Sequence, residues 1–329
     1  MIDISVIVVC FRGWARLRKC LDSLAGFRGD NFSYEVIVVD NNSGDQVIHD
    51  FVRKYPDFRF ILNPVNGGYA NGNNLGCRNA SGEYVLILNP DTEADENEIA
   101  RMLEEARAHP EYSIISCRQV NDRGKETTAT GDFPEFSNLT GFQRSVARIF
   151  RKTAAPVTDN GHVTFPDWIS GSVVWMKRDL YLQLGGFYEG FWMYYEDVDI
   201  CRRINREMGK VVRLNNVTII HNHGGSSRVN KRIAAITKTE VQISRHLYVS
   251  RNIKGAEGVL TQIFLVVNNI ISGVILAAAG LIFFFVPALF LRTRIFLRLL
   301  GYYAGAALRQ SWIGPRSVLY PGRMLKKAN

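Results

Sequence analysis

Three places in the sequence hold the residue types needed to move a group off an activated, anionic donor. The first is Asn89-Pro90-Asp91, a polar turn that follows the apolar run Tyr84–Leu88. A carboxylate at a strand end can hold a divalent ion, and such an ion neutralises a departing phosphate. Asp in a Pro-containing turn also commonly satisfies its own backbone, so Asp91 alone decides little. The second is Glu196-Asp197-Val198-Asp199, three carboxylates opening a helical pattern. A carboxylate can take a proton from an attacking hydroxyl, although acidic residues also gather at helix N-termini through the dipole alone. The aromatic run from Phe187 to Tyr195 tips the balance towards chemistry, because exposed aromatics stack on sugar-like rings. Trp192, Glu196 and Asp199 are therefore placed with Asp197 on the acceptor side. The third is His221, which ends the run Val211–Ile220 beside Gly224-Gly225. It can bind a metal or a phosphate, and His223 competes for that role.

The elements that must carry these residues alternate. Ile4–Cys10 is a β-branched run of the kind buried on both faces in a parallel sheet. Leu17, Leu21 and Leu24 recur at helical spacing. Val36–Val39 reads as a second strand ending at Asp40, Phe58–Leu62 as a third, and Tyr84–Leu88 as a fourth. Helices are expected around Val47–Phe51, from Asn66 to about Ala80, and around Ile99–Leu103. This βαβαβαβ order predicts an α/β, doubly wound, mostly parallel sheet. Ligands of such sheets bind beyond the carboxyl ends of the strands, where Asp40 and Asp91 fall. Residues from about Asn121 to Pro166 read as an irregular excursion. Trp168–Met176 reads as one strand, Arg178–Leu184 as a short helix stopped by Gly185-Gly186, and Glu196–Met208 as a helix with Arg202, Arg203 and Arg206 outward.

The order and spacing of these motifs resemble glycosyltransferase family 2, and its bacterial rhamnosyltransferase-like members most of all. The resemblance runs from Ile4 to about Asn252. It rests on Val38-Val39-Asp40-Asn41-Asn42-Ser43, then Asn66-Gly67-Gly68-Tyr69-Ala70 with Gly72-Asn73-Asn74-Leu75-Gly76. Leu88-Asn89-Pro90-Asp91-Thr92, Glu196-Asp197-Val198-Asp199-Ile200-Cys201-Arg202-Arg203 and the closing His221 complete it. The resemblance implies a GT-A fold, with the donor half at about 1–120 and the acceptor half at about 165–250. It implies donor contacts from Asp40, Asn74, Asn89 and Asp91, with Asp91 and His221 on Mg²⁺ or Mn²⁺ and Asp197 as the base. The reaction would be inverting, from a nucleotide sugar (dTDP-rhamnose first, then UDP-galactofuranose, UDP-GlcNAc or UDP-glucose) to a lipid-linked polyprenyl diphosphate saccharide. Two departures stand out: Asn-Pro-Asp replaces the family's DxD, and Tyr188 stands where relatives often carry Asp.

Charge and hydropathy bound the rest. The net charge is +9, and the stretch Arg292–Asn329 carries eight basic residues with no Asp or Glu. Gly258–Leu291 carries no charge and is longer than the roughly 20 residues a helix needs to cross a bilayer. Asn268, Asn269, Gly273 and Pro287 are its candidate break points. Both flanks are basic, so both ends are expected on one side, as a re-entrant hairpin or an interfacial pair of helices. Residues 251–329 are thus expected to associate with membrane lipid, at the cytoplasmic face of a bacterial inner membrane. The five cysteines form no CxxC and suggest neither a disulfide framework nor a zinc site. Phe11-Arg12-Gly13-Trp14 is not GxGxxG, which argues against a dinucleotide-dependent dehydrogenase. The set of carboxylates argues against a protein that merely binds membrane or nucleic acid, and no nucleic-acid partner is expected.

Overall fold

The computed structural model describes residues 2–127, 129–139, 161–222, 231–283 and 285–321. His223, residues 128 and 140–160 of the predicted excursion, and the last basic residues, Arg323, Lys326 and Lys327, lie outside them. The chain forms two compact units. The first comprises Met1–Phe133, Ala155–Tyr188 and Glu196–Gly225, and the second Pro134–Ala154, Glu189–Tyr195 and Ser226–Asn329.

The first unit begins β1 (Ile4–Cys10), α1 (Trp14–Ala25), β2 (Tyr34–Asp40), α2 (Ile48–Lys54), β3 (Arg59–Leu62), α3 (Gly68–Arg78), β4 (Tyr84–Leu88), β5 (Thr92–Glu93), α4 (Glu96–Ala108) and β6 (Tyr112–Val120). It continues with β7 (Thr130–Gly131), β8 (Val163–Thr164), β9 (Trp168–Ile169), β10 (Val173–Lys177), α5 (Arg178–Gln183), α6 (Glu196–Arg206) and β11 (Lys210–His221). The main sheet has the order β3-β2-β1-β4-β10-β6-β11-β5, with β8 on β11. Strands β1 to β4, β6 and β11 point one way, while β10, β5 and β8 run against them. This is the GT-A-like arrangement, a mixed sheet that is mostly parallel by direction.

Alternation along β1 explains the two covered faces. Ile4, Val6, Val8 and Cys10 pack with Leu17, Leu21 and Leu24 of α1 and with Ile99 and Met102 of α4. Ile7 and Val9 face α3, where glycine permits close approach. A Cβ at Gly76 would lie 2.4 Å from Ile7 Cγ2, and one at Gly72 would lie 2.6 Å from Val9 Cγ1. The predicted strand Trp168–Met176 is divided: β9 pairs with β7 in a separate small sheet, and β10 enters the main one. The Ser170–Ser172 turn between them becomes central to the site.

The second unit holds α7 (Lys231–Asn252), α8 (Gly255–Ile282) and α9 (Pro287–Arg309). α7 packs on α9, with Ala235 and Ile243 against Ile295, Leu299 and Tyr302. His246 ties the three helices together: its Nδ1 faces Gln262 Oε1 at 2.6 Å and its Nε2 faces Tyr303 Oη at 2.9 Å. Asn268, Asn269 and Gly273 do not interrupt α8. Asn269 spends its amide on Tyr303 Oη at 2.8 Å. The break comes before Pro287, which opens α9 at a position where a missing N–H costs nothing.

Candidate active site

Backbone register brings the second and third sequence motifs towards the first. β11 pairs antiparallel with β5, setting His221 opposite Thr92, and Asn222 N donates to Asp91 O at 3.0 Å. His221 Nε2 then lies 3.4 Å from Asp91 Oδ1. On the other side of the ring, Nδ1 is 2.8 Å from Gln119 Oε1, which also accepts from Ser172 Oγ at 2.7 Å. An acceptor at Nδ1 keeps the hydrogen there and turns the lone pair of Nε2 towards the Asp91 carboxylate. Two electron-rich groups face to face are stabilised by a proton or a cation between them, so this pair fits a divalent ion. Among the described residues there is no group of three or more His, Cys, Asp or Glu that could hold a metal. An ion here would complete its shell with donor phosphate oxygens and water.

The same turn that supplies Ser172 also holds the acidic cluster. Gly171 N donates to Asp197 Oδ2 at 2.9 Å, and Val198 N donates to Asp197 Oδ1 at 2.8 Å. Tyr69 Oη donates to Gly171 O, and Asn89 N donates to Ser172 O at 3.0 Å. Residues 170–172 therefore join Asn89, the His221–Asp91 pair and Asp197. Burial pushes the Asp197 carboxyl above its usual range, and its backbone hydrogen bonds only partly offset this. Burial, and the charge of Asp197 beside it, hold the Glu196 carboxyl well above its ordinary value. Tyr194 and Tyr195, just before α6, take left-handed φ values of 71° and 68°, a strain of about 1–3 kcal/mol each that recurs at functional sites.

Glu196 is 4% exposed, and its Oε2 has no hydrogen-bond partner among the described residues. It therefore keeps its proton in the folded state at pH values where the unfolded chain has lost it. Folding stability falls as pH rises above the ordinary value near 4.5, until the raised folded pKa is passed. Glu196→Gln mimics the protonated form. Its melting temperature should exceed that of the wild type at pH 7–8 and converge with it near pH 4. Equal melting temperatures at pH 8 would contradict a buried, protonated Glu196.

The other sequence-predicted residues fall into different places. Asp40 ends β2 and accepts from Ser43 N at 3.2 Å and from Ser43 Oγ. Ser43 also binds Arg12 N at 2.8 Å, which ties the turn after β1 to the turn after β2. Asn74, expected at the donor, hydrogen-bonds to Tyr181 and Phe187. Its Nδ2 donates to Phe187 O at 2.7 Å, and its Oδ1 accepts from Tyr181 Oη at 2.6 Å and Phe187 N at 2.9 Å. Asp199 is 1% exposed and accepts from Arg203 Nε at 3.0 Å. Arg203, expected outward, points inward and donates to Leu184 O and Gly186 O, each at 2.7 Å. Trp192 belongs to the second unit, where Arg316 lies over its ring at 5.1 Å. Sequence reasoning missed Gln119 and Tyr69. A lone Gln in a strand gives no signal, whereas Tyr69 sits inside a motif already singled out.

Comparison with known proteins bears on the family and the fold. Residues 5–162 match the model of glycosyl transferase family 2. The chain is 28% identical to the low-salt glycan biosynthesis hexosyltransferase Agl10 of Haloferax volcanii, over 67% of this chain and 67% of that one. It is 25% identical to an N-acetylglucosaminyl-diphospho-decaprenol L-rhamnosyltransferase of Mycobacterium tuberculosis, over 68% and 77%. Among solved structures, GalNAc-T7 with UDP, GalNAc and Mn²⁺ superposes with a TM-score of 0.52 at 15% identity. That match covers 76% of this chain and about half (51%) of that one, and it bears on the fold alone.

Proposed function

Because this chain carries a glycosyl transferase family 2 domain, we propose that it transfers a sugar from a nucleotide donor to a lipid-linked saccharide with inversion, at the cytoplasmic face of a bacterial inner membrane. The observation that carries the reading is the Ser170–Ser172 turn, whose hydrogen bonds join the Asp91–His221 pair to Asp197. Asp197 takes the proton of the acceptor hydroxyl. The hydroxyl oxygen forms its bond to the anomeric carbon as the bond to the nucleoside diphosphate breaks, and the diphosphate leaves with the electron pair. No covalent sugar–enzyme intermediate is needed, in contrast to retaining hydrolases that use a second carboxylate as nucleophile. Asp91 and His221 would hold Mg²⁺ or Mn²⁺, which supplies charge neutralisation for the leaving diphosphate. Asp40, fixed by Ser43, faces the donor's nucleoside, and Asn89 shapes the turn that carries Asp91. Glu196 holds the neighbouring position in neutral form, so it adds no second charge beside the base. Rhamnose from dTDP-rhamnose is the preferred donor, and a diphosphate-linked polyprenyl saccharide the preferred acceptor. Both are supported by the kinds of relative above.

A panel of dTDP-rhamnose, UDP-galactofuranose, UDP-GlcNAc and UDP-glucose against a polyprenyl diphosphate GlcNAc acceptor tests the donor. Transfer of rhamnose alone is the expected result, and transfer of another sugar in its place would reassign the donor. The metal is tested separately. Thorough chelation should abolish transfer, and Mn²⁺ or Mg²⁺ should restore it. Calorimetry should show the ion binding much more weakly to the protein alone than to the protein with nucleoside diphosphate, since two side chains make only part of a shell. Undiminished transfer after chelation would remove the metal from the scheme.

A further inference from the structure

The α8–α9 hairpin presents a broad apolar face. On α8, Val259, Ile263, Val267, Ile270, Val274 and Leu281 are all exposed. Their spacings of three, four and seven place them on one stripe. On α9, Phe290, Leu297 and Leu308 are exposed in the same way. They lie roughly 180–200° around the helix from Leu299, which is buried against α7. Gly273 receives the Phe296 ring and Gly280 receives Leu289 and Thr293, so the two helices run antiparallel, side by side. α7 therefore covers one side of a two-helix layer, and the apolar stripes open on the other. A continuous patch of this kind marks a surface that meets another phase or partner.

The arginines decide how the layer sits. Arg292, Arg294 and Arg298 are exposed on α9. The glycine contacts set them level with roughly residues 272–279 of α8, inside the stretch that carries no charge. If the hairpin stood upright across a bilayer, its turn and these three charges would enter the hydrocarbon, where charged side chains are costly. If it lies flat, the guanidinium groups reach the headgroups while the stripe enters the acyl chains. We propose that the hairpin lies in the plane of one leaflet of an anionic phospholipid bilayer, the α8 stripe among the acyl chains and the α9 arginines at the headgroup phosphates. This rests on the membrane part of the function above and not on the sugar transfer.

The experiment uses the full-length chain, whose five native cysteines are free and buried. Val267→Cys, Val274→Cys and Leu281→Cys are each labelled with a fluorophore and bound to vesicles of phosphatidylglycerol and phosphatidylethanolamine. Nitroxide lipids of graded depth then quench the label. The expected result is one common depth, about 5–10 Å into the boundary between headgroups and acyl chains. A progressive difference of about 20 Å between positions 267 and 281 would overturn the flat orientation while leaving membrane binding intact. Shielding of all three labels in a dimer without lipid, or no vesicle binding, would overturn the bilayer as occupant. Arg294→Gln and Arg298→Gln should each weaken binding to anionic vesicles roughly fivefold and leave binding to purely zwitterionic vesicles unchanged. Equal affinity of these variants for anionic vesicles would overturn the headgroup contact. Transfer to a short, soluble acceptor should persist in every variant, which separates a failure here from a failure of the catalytic reading.

Discussion

Asp197→Asn should slow sugar transfer by roughly 10²–10⁴, the usual worth of a general base, while nucleotide-sugar affinity stays near the wild-type value. The substitution keeps the size of the side chain and one of the two oxygens that accept from Gly171 N and Val198 N. It removes the basicity. Because burial raises the Asp197 pKa, the wild-type rate should fall with acidification from a point above the ordinary carboxylate range, as the base takes up its proton. The measurement is transfer rate and donor affinity on the same variant, across pH. Near wild-type transfer by Asp197→Asn, with a large loss in Glu196→Gln, would move the base to the neighbouring carboxylate. Full activity in Asp197→Asn, Glu196→Gln and Asp199→Asn alike would leave the cluster as a helix N-terminus and nothing more.

The sequence spoke clearly where the hydrophobic period is long. β1, β2 and β4 and the helices between them follow from runs such as Ile4–Cys10, and the carboxyl-end rule put Asp40 and Asp91 at the correct edge. It could not weigh burial against the helix terminus at Asp197, because burial depends on the turn at Gly171, distant in sequence. The structure shows burial outweighing the hydrogen bonds. The hydrogen bonds of Asn74 were hidden for a related reason: its partners Tyr181 and Phe187 lie more than a hundred residues away. The antiparallel insertion of β10 between β4 and β6 was also hidden, since strand direction leaves no trace in a short apolar run. That insertion carries the Ser170–Ser172 turn to the carboxyl edge, and with it the contacts of Asn89, His221 and Asp197. The most informative part of the site is thus built from tertiary pairing and not from local pattern.

Arg203→Ala should destabilise the first unit by about 3–5 kcal/mol, the range for breaking a buried ion pair by removing one partner. In a domain of this size that corresponds to a drop in melting temperature on the order of 6–20 °C. Asp199 is 1% exposed and meets the guanidinium at 3.0 Å, so without Arg203 its carboxylate has lost a buried counter-charge. The same guanidinium donates to Leu184 O and Gly186 O, fixing the turn in which Gly185 and Gly186 take φ values of 75° and 66°. That turn leads into Phe187, whose backbone N–H and carbonyl are held by Asn74. Arg203→Lys keeps the charge but not the fork that reaches a carboxylate and two carbonyls together, so it should recover only part of the loss. Asp199→Leu combined with Arg203→Met removes both charges and fills the volume, and should be closer to wild type in stability than Arg203→Ala. Denaturant unfolding of the three variants distinguishes the cases. If Arg203→Ala unfolds within about 1 kcal/mol of wild type, as an exposed pair would, the buried pair does not hold α6 in place. If instead the double variant is stable but transfers poorly, Asp199 acts on the site through more than its ion pair.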